Sequence, residues 1–596
     1  MTKIEFTVNG QLCRVDESLP RYTSLNAYLR YTLGLSGTKS MCHEGGCGSC
    51  IVMVRAKRYT TSMVETFSVN SCLVLVFSCH GWEITTIEGV GNRNEGYSEV
   101  QKRIVEFNGT QCGYCTPGWV MQMTSLEDKN LTMAELEKSF AGNTCRCTGF
   151  RPILDAIQSF GTDASPELCQ RVRDMEELSI CEKKGGSCGR KCSFKSDCSD
   201  WSVVEEAKSD VSIALDFGNS KFFKVFDQEE IFDILNKHGV DSYMFIDGNT
   251  GKGIIDHFEY PRVLIDISGV KSLKGWYLDQ NLVLGANVSL EDAINIFKEV
   301  SETRTEFAYL SEFVKHVELI ANAPVRKIGS IAGNLMYKRA IPTYQSDLFL
   351  LFEGVGAYIN VRNVNGKENK LELLDFLNYD MTGNLMINVV LPPLSSSHIL
   401  RSYKIMPRNQ NALAIVNAAF LLEFESKKKI KSAKIVYGNI DPEFVHATNT
   451  EKYLVGKNVF CDHTLQEAIK VLNDELLPVE LPGEQSIECR KKLGLGLFYK
   501  YILNIAPSGT ALNKYISGGN LLSRPVSTGK PDYQTHPSLF PLNQPINKLE
   551  AEIQASGEAM YANDLPPLPR EVFGAFALST VYSGEVDTID VDEIMV

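Results

Sequence analysis

Cys42-His43-Glu44-Gly45-Gly46-Cys47-Gly48-Ser49-Cys50 is the stretch on which the reading of this 596-residue chain turns. With Cys72 it makes C-x4-C-x2-C and one distant cysteine, the plant-type spacing in which a tight loop wraps three thiolates around a 2Fe–2S cluster. Glycines stand between the ligands because such a loop needs positive φ and close approach of backbone N–H groups to sulfur. A second set follows, Cys112 and Cys115, then Cys145 and Cys147, reading C-x2-C, a gap and C-x-C. Structural zinc is the alternative for each set, since zinc also takes four thiolates, usually as two CxxC-type pairs. The first set lacks that paired spacing; the second, taken alone, suits zinc as well as iron. Two metal–thiolate sites side by side point to electron transfer more than to architecture.

Around these cysteines the chain alternates as strands do. Ile4, Phe6 and Val8 lead into Asn9-Gly10, a hairpin turn, and then Leu12 and Val15. A helix is expected from Ser24 through Leu25, Tyr28 and Leu29 to near Gly34, and a strand at Ile51-Val52-Met53-Val54 after the cysteine loop. Past Glu88-Gly89-Val90-Gly91 the pattern turns helical. Pro117 and Pro152 suit first helical turns, and Thr132-x-x-Glu135 is a capping box with Leu136 and Phe140 at core spacing. A strand-rich domain over 1–90 therefore holds the first set and a helical domain over 91–163 the second.

From 164 to 214 the chain is polar and charged and reads as a linker. Its Cys169, Cys181, Cys188, Cys192 and Cys198 read as part of a solvated tether, with a third metal site as the alternative although their spacings match no ligand rule. A mixed α/β region opens near Phe222. Asp227 caps a helix with Ile231, Ile234 and Leu235 inward and Gly239 as its stop. The strand Tyr243–Ile246 leads into Asp247-Gly248-Asn249-Thr250-Gly251-Lys252-Gly253, a helix opens at Ser289, and Ile328-Gly329-Ser330-Ile331-Ala332-Gly333-Asn334-Leu335 follows. Glycine-rich loops at strand ends expose N–H groups that bind phosphate oxygens, although each alone could be only a tight turn. Neither is the Rossmann G-x-G-x-x-G or a P-loop.

Composition fits a soluble cytosolic protein. Apolar residues make up 44%, mean hydropathy is −0.11, and no apolar run reaches the roughly 18 residues of a spanning helix. The start of the chain lacks a signal-peptide core. Seventeen cysteines with eight reserved for metal suit a reducing compartment. A net charge of −13 argues against nucleic acid, whose phosphates demand basic contacts.

The two cysteine sets in this order, then a linker and paired glycine-rich loops, resemble the xanthine dehydrogenase and aldehyde oxidase family of molybdenum–flavin–iron–sulfur hydroxylases. The most specific matches are Glu44-Gly45-Gly46-Cys47-Gly48, Gly109-Thr110-Gln111-Cys112-Gly113-Tyr114-Cys115 and Gly142-Asn143-Thr144-Cys145-Arg146-Cys147-Thr148-Gly149. The resemblance implies an α+β multidomain chain. It has a ferredoxin-like β-grasp domain, a helical bundle, an α/β FAD-binding domain at 215–395 and an α+β flavoprotein subdomain at 396–512. A linker at 513–545 and the opening of a molybdenum domain at 546–596 complete it. It implies FAD contacts at Phe245, Ile246, Asp247, Gly248, Asn249, Thr250, Gly251, Lys252, Ser330, Ile331, Ala332, Gly333 and Asn334, with Ala321, Asp347, Met386 and Lys404 at further flavin positions. Gln111 and Cys147 fall where the family contacts molybdopterin.

By the same resemblance, an aldehyde or heterocycle is oxidised at molybdenum in the intact enzyme, a cytoplasmic homodimer. Electrons then pass through the helical-domain cluster and the ferredoxin-like cluster to FAD. No catalytic base is expected in this chain, which looks cut short inside the molybdenum domain. Met406-Pro407-Arg408-Asn409-Gln410-Asn411-Ala412 replaces the charged run of NAD-using dehydrogenases, and Ile320 replaces a flavin-stacking Phe. Both departures, together with Ile320-Ala321-Asn322-Ala323-Pro324-Val325-Arg326, look like oxygen-using aldehyde oxidases, with loop drift as the ordinary alternative. The other readings are an NAD-dependent purine hydroxylase, a natural flavo–iron–sulfur subunit serving a separate molybdenum chain, and a catalytically silent relative.

Overall fold

The structure, a computed structural model, describes residues 3–140, 142–169 and 211–588, the last with gaps at 256–257, 409–410, 426–427, 443, 482, 512 and scattered positions between 522 and 582. Cys181, Cys188, Cys192 and Cys198 lie outside the described residues. Strands β1 (Ile4–Val8) and β2 (Gln11–Val15) pair antiparallel across Asn9-Gly10, whose φ of 49° and 79° are those a two-residue hairpin turn demands. With β3 (Ile51–Arg58), β4 (Met63–Asn70) and β5 (Glu83–Thr85) they form a sheet ordered β2-β1-β5-β3-β4. Ile4, Phe6, Val8, Val52 and Val54 are buried, as their alternation requires. Ser24 caps the expected helix, which after Ala27 widens into a π-helical turn at Tyr28–Thr32. Arg30 on that turn donates to the carbonyls of Ser36 and Thr38, tying it to the chain that enters the cysteine loop.

The helical domain comprises α1 (Glu99–Glu106), α2 (Thr116–Thr124), α3 (Met133–Ser139) and α4 (Arg151–Gln158). Pro117 and Pro152 occupy first turns, and the Thr132–Glu135 capping box forms. Trp119 stacks on Phe140 at 5.4 Å and meets Phe150 edge-on, worth about 1 kcal/mol per pair beyond burial. The domain extends past the expected end at 163, because buried Leu168 is part of its core.

The flavin region also starts earlier than Phe222. Strand β6 (Ile213–Asp216) buries Ile213 and Leu215 and pairs with β7 (Lys221–Lys224). After α5 (Gln228–His238), β8 (Tyr243–Ile246) and β9 (Val263–Asp266) complete the order β6-β7-β9-β8, the last three parallel. This sheet packs on the first domain, with Phe77 against Phe217 and Phe222 at 5.5 and 5.6 Å. A second sheet, ordered β10-β11-β14-β12-β13, is built from β10 (Trp276–Asp279), β11 (Asn281–Gly285), β12 (Tyr358–Asn363), β13 (Glu368–Glu372) and β14 (Asn384–Leu391). Between β11 and β12 run α6 (Leu290–Thr303), α7 (Leu310–Val317), α8 (Ala323–Ile328), α9 (Ile331–Ala340) and α10 (Asp347–Val355). A last sheet, β15 (His398–Ile405), β16 (Val416–Phe424), β17 (Ile430–Gly438) and β18 (Val445–His446), packs on α11 (Ile487–Ile505) through Phe420, Phe498 and Tyr501.

The chain divides after Ala559 rather than at 546, into units Met1–Ala559 and Met560–Val596. The reason is α12 (Ala551–Ala555), whose buried Ala551 and Ala555 join the helical-domain core. In the second unit Val572, Phe576 and Leu578 are exposed, while Phe573 and Ala575 lie outside the described residues. Among the described residues no helix is long and apolar enough to cross a membrane.

Candidate functional site

The two cysteine sets take the same arrangement of facing pairs. In the first, Cys42 faces Cys47 and Cys50 faces Cys72, each pair within hydrogen-bond reach. In the second, Cys112 faces Cys147 and Cys115 faces Cys145. Among the described residues no three His, Cys, Asp or Glu side chains close on a single ion site. Two pairs per set suit a two-iron cluster, with one pair for each iron, better than one tetrahedral zinc. Gly45 and Gly48 both have φ of 73°, and the resulting turn directs the N–H groups of Glu44, Gly46 and Cys47 at the Cys42 sulfur. In the second set Thr148 Oγ1 donates to Cys145 Sγ at 3.1 Å. Donors to sulfur stabilise thiolate charge and tune a cluster held there.

The sets are packed against one another. Thr144 N–H donates to the Cys47 carbonyl at 2.9 Å, so a neighbour of Cys145 bonds a first-set ligand directly. A Cβ on Gly118 would sit 2.2 Å from the Gly48 carbonyl oxygen, so only glycine lets α2 come this close.

Against the first loop lies a cavity of about 790 Å³ whose walls include Glu44, Gly45 and Leu73. All of the expected flavin positions line it except one. Ile331 is fully buried in the core and spends its N–H on the Val288 carbonyl. The glycine loops also differ from one another. Asp247–Gly253 leaves the end of strand β8 as expected, but Ser330–Asn334 lies at a junction of two helices, with Ser330 capping α9. In that second loop the Ala332 N–H is bound by the Ala286 carbonyl and the Gly333 N–H by Ser330 Oγ. The nest mechanism therefore fits the first loop better than the second. There Gly248 is pinned on α8: a Cβ would lie 2.1 Å from the Ile328 carbonyl oxygen. Asp247 is buried, which pushes its carboxyl up, against the pull of Lys274 at 3.0 Å.

A buried charge network forms part of the cavity wall. Lys404 Nζ lies 2.7 Å from Asp347 Oδ2 and donates to the Leu319 carbonyl at 2.9 Å. His316 Nε2 and Asn417 Nδ2 meet Asp347 Oδ1 at 3.1 and 2.7 Å. Burial pushes the Asp347 carboxyl up, but Lys404 and His316 outweigh it and hold it far below the usual carboxylate range. Ala321 also lines the cavity, with φ of 48° in the left-handed region that a non-glycine residue enters at a cost.

Sequence reasoning missed the amides that join these parts. Asn249 Nδ2 donates to the Leu73 carbonyl at 2.8 Å, Asn322 Nδ2 to Gly45 at 2.9 Å and Asn411 Nδ2 to Gly46 at 3.2 Å. Asn249 had been read only as a flavin position; Asn322 and Asn411 fell in segments read for acceptor choice. Only Asn322 carried a local signal, as a helix N-cap before Pro324. Gln111 and Cys147, expected against molybdopterin, are exposed on the helical domain. The Gln111 and Cys112 carbonyls accept from Gln554 Nε2 at 3.3 and 3.1 Å, and Thr110 Oγ1 donates to Gln554 Oε1 at 2.9 Å.

Four domain families match the chain in order. They are a 2Fe-2S iron-sulfur cluster binding domain at 6–77, a 2Fe-2S binding domain at 86–158, an FAD binding domain in molybdopterin dehydrogenase at 217–394 and a CO dehydrogenase flavoprotein C-terminal domain at 401–505. Fold and sites define an iron–sulfur flavoprotein, with two 2Fe–2S domains and an FAD-binding domain. Among curated proteins, an indole-3-acetaldehyde oxidase of Arabidopsis thaliana is 30% identical over 96% of this chain and 44% of its own length. Xanthine dehydrogenase 2 of the same plant is 31% identical over 98% and 46%. A probable aldehyde oxidase 4 of Oryza sativa is 28% identical over 98% and 75%. The relatives of this chain are thus plant aldehyde oxidases and xanthine dehydrogenases, at about 30% identity over 96–98% of its length. It spans about half the length of most of the curated relatives it matches.

Proposed function

We propose that this chain is the electron-transfer half of an aldehyde oxidase-like enzyme, carrying electrons from a molybdenum site through two 2Fe–2S clusters to FAD and on to O2. The observation that carries the reading is the shared wall: Glu44, Gly45 and Leu73, all adjoining the first cysteine set, line the large cavity. Thr144 continues the contact to the second set. Cys42, Cys47, Cys50 and Cys72 would hold one cluster and Cys112, Cys115, Cys145 and Cys147 the other. Once bound, clusters would supply one-electron carriers, and FAD would supply a carrier that collects two electrons. The chain's own residues then have defined tasks. Asp247–Lys252 present backbone to an anionic pyrophosphate, Lys404 and Asp347 fix a charge in the wall, and the paired thiols set cluster geometry. Anaerobic purification with iron, sulfide and flavin analysis tests this; Cys47→Ser should remove one paramagnetic signal and Cys115→Ser the other. Zinc in either cysteine set would overturn it.

The acceptor is proposed from the segment around Arg408, which lacks the charged run expected of NAD users. Arg408 donates through Nε and Nη2 to the Asn411 carbonyl at 3.1 and 2.6 Å, so its guanidinium is engaged within its own turn. Reduced protein mixed with O2 in a stopped-flow instrument should reoxidise rapidly. Equally rapid reoxidation by micromolar NAD would move it to the dehydrogenase branch.

A further inference from the structure

Three asparagines lining the large cavity each donate to a carbonyl beside a first-set cysteine. Asn249 reaches Leu73, one residue from Cys72; Asn411 reaches Gly46, one residue from Cys47; and Asn322 reaches Gly45, two residues away. Each comes from a different segment: the loop after β8, the cap of α8, and the turn after β15. Two of them, Asn249 and Asn411, sit at positive φ, 57° and 52°, a conformation asparagine tolerates better than most residues. Asn322 is buried, with Oδ1 accepting the Val325 N–H that it caps and Nδ2 pointing to Gly45 and, at 3.4 Å, to Asn411 Oδ1. It also touches the second domain: a Cβ on Gly142 would lie 2.4 Å from Asn322 Cγ. Asn322 thus stands where the cavity, the first cysteine loop and the chain entering Cys145 meet.

We propose that Asn322 and Asn411 are positioning residues that register the first cysteine loop against the flavin cavity and thereby set the rate of electron exchange between the two. This rests on the function proposed above. In each exchange one electron leaves the centre held by Cys42, Cys47, Cys50 and Cys72 and one enters the flavin. No proton is asked of either asparagine, since a primary amide does not titrate. Their neutrality matters: unlike a lysine or arginine, an amide fixes the loop without adding a charge that would shift the driving force. Losing both bonds unties the Gly45–Gly46 carbonyls from the cavity wall, leaving Gly45 with only the Asn70 amide of its own domain among the described residues, and electron exchange slows as the distance between carriers grows.

The test uses the chain loaded with both clusters and FAD, reduced by a flash-generated one-electron viologen radical, with absorbance following the redistribution of electrons. Asn322→Ala/Asn411→Ala should slow exchange severalfold, while iron, sulfide and flavin contents and the midpoint potentials stay at wild-type values. The single variants should fall between. An unchanged rate in the loaded double variant overturns the proposal. So does a fall in rate fully accounted for by a shifted midpoint potential, because the amides would then act on driving force and not on position. Should the double variant lose flavin, each single variant is judged by the same criteria. Wild-type protein that holds no flavin or no iron would instead refute the underlying functional reading.

Discussion

Removing the carboxylate of Asp347 should destabilise the flavin domain by about 3–5 kcal/mol, the usual cost of orphaning one member of a buried ion pair. Asp347→Leu leaves Lys404, whose side chain is 1% exposed, with only the Leu319 carbonyl among the described residues. His316 and Asn417 lose their shared acceptor as well. The position is the first residue of α10, so the favourable carboxylate–dipole contact, about 0.5 kcal/mol, goes too. Adding Lys404→Met should recover most of the loss, because the pair then becomes apolar and no charge is stranded. The assay is urea unfolding followed by far-UV circular dichroism on flavin-free protein, which keeps ligand binding out of the comparison. Because the Asp347 carboxyl is held far below its unfolded value, its contribution is complete above about pH 4 and declines as pH falls further toward the folded value. A single variant within about 1 kcal/mol of wild type, or a double variant no better than the single, would refute the account.

Gly248→Ala should weaken FAD about 10- to 100-fold, since its methyl would strike the Ile328 backbone and force the loop off α8 at about 1–3 kcal/mol; fluorescence titration showing wild-type affinity would contradict this. Gln554→Leu should strip three hydrogen bonds from the Thr110–Cys112 turn at about 1–3 kcal/mol. The stretch between Pro537 and Ala559 should then be cut faster by protease, and unchanged cleavage kinetics would argue against a docked segment.

What the sequence showed plainly is what local chemistry decides. Ser24, Thr132, Asp227 and Ser289 all cap the helices they were read to cap, because a cap is a contact between residues two or three apart. The cysteine spacings likewise carry their own geometry. Ser330 was harder: a glycine-rich run reads alike at a strand end and at a helix junction, and here α8 ends at Ile328 and α9 starts at Ile331. Ile331 sits among cavity residues in sequence, yet its side chain points into the core on the opposite side of α9's first turn. The Asn322 bond to Gly45 spans 277 positions between two neutral groups, so no periodicity or charge pattern could announce it. The boundary at Ala559 was missed for a similar reason, as the partners of Gln554 lie more than 440 positions earlier.

That last separation has a consequence measured in time. A ribosome adds about 5–20 residues per second, so roughly 20–90 s pass between synthesis of Gln111 and arrival of Gln554. Throughout that interval the turn carrying Cys112 and Cys115 lacks the side chain that later clasps its carbonyls. Iron and sulfide delivered while the chain is still growing meet an unclasped turn; delivered afterwards, they meet one already fastened.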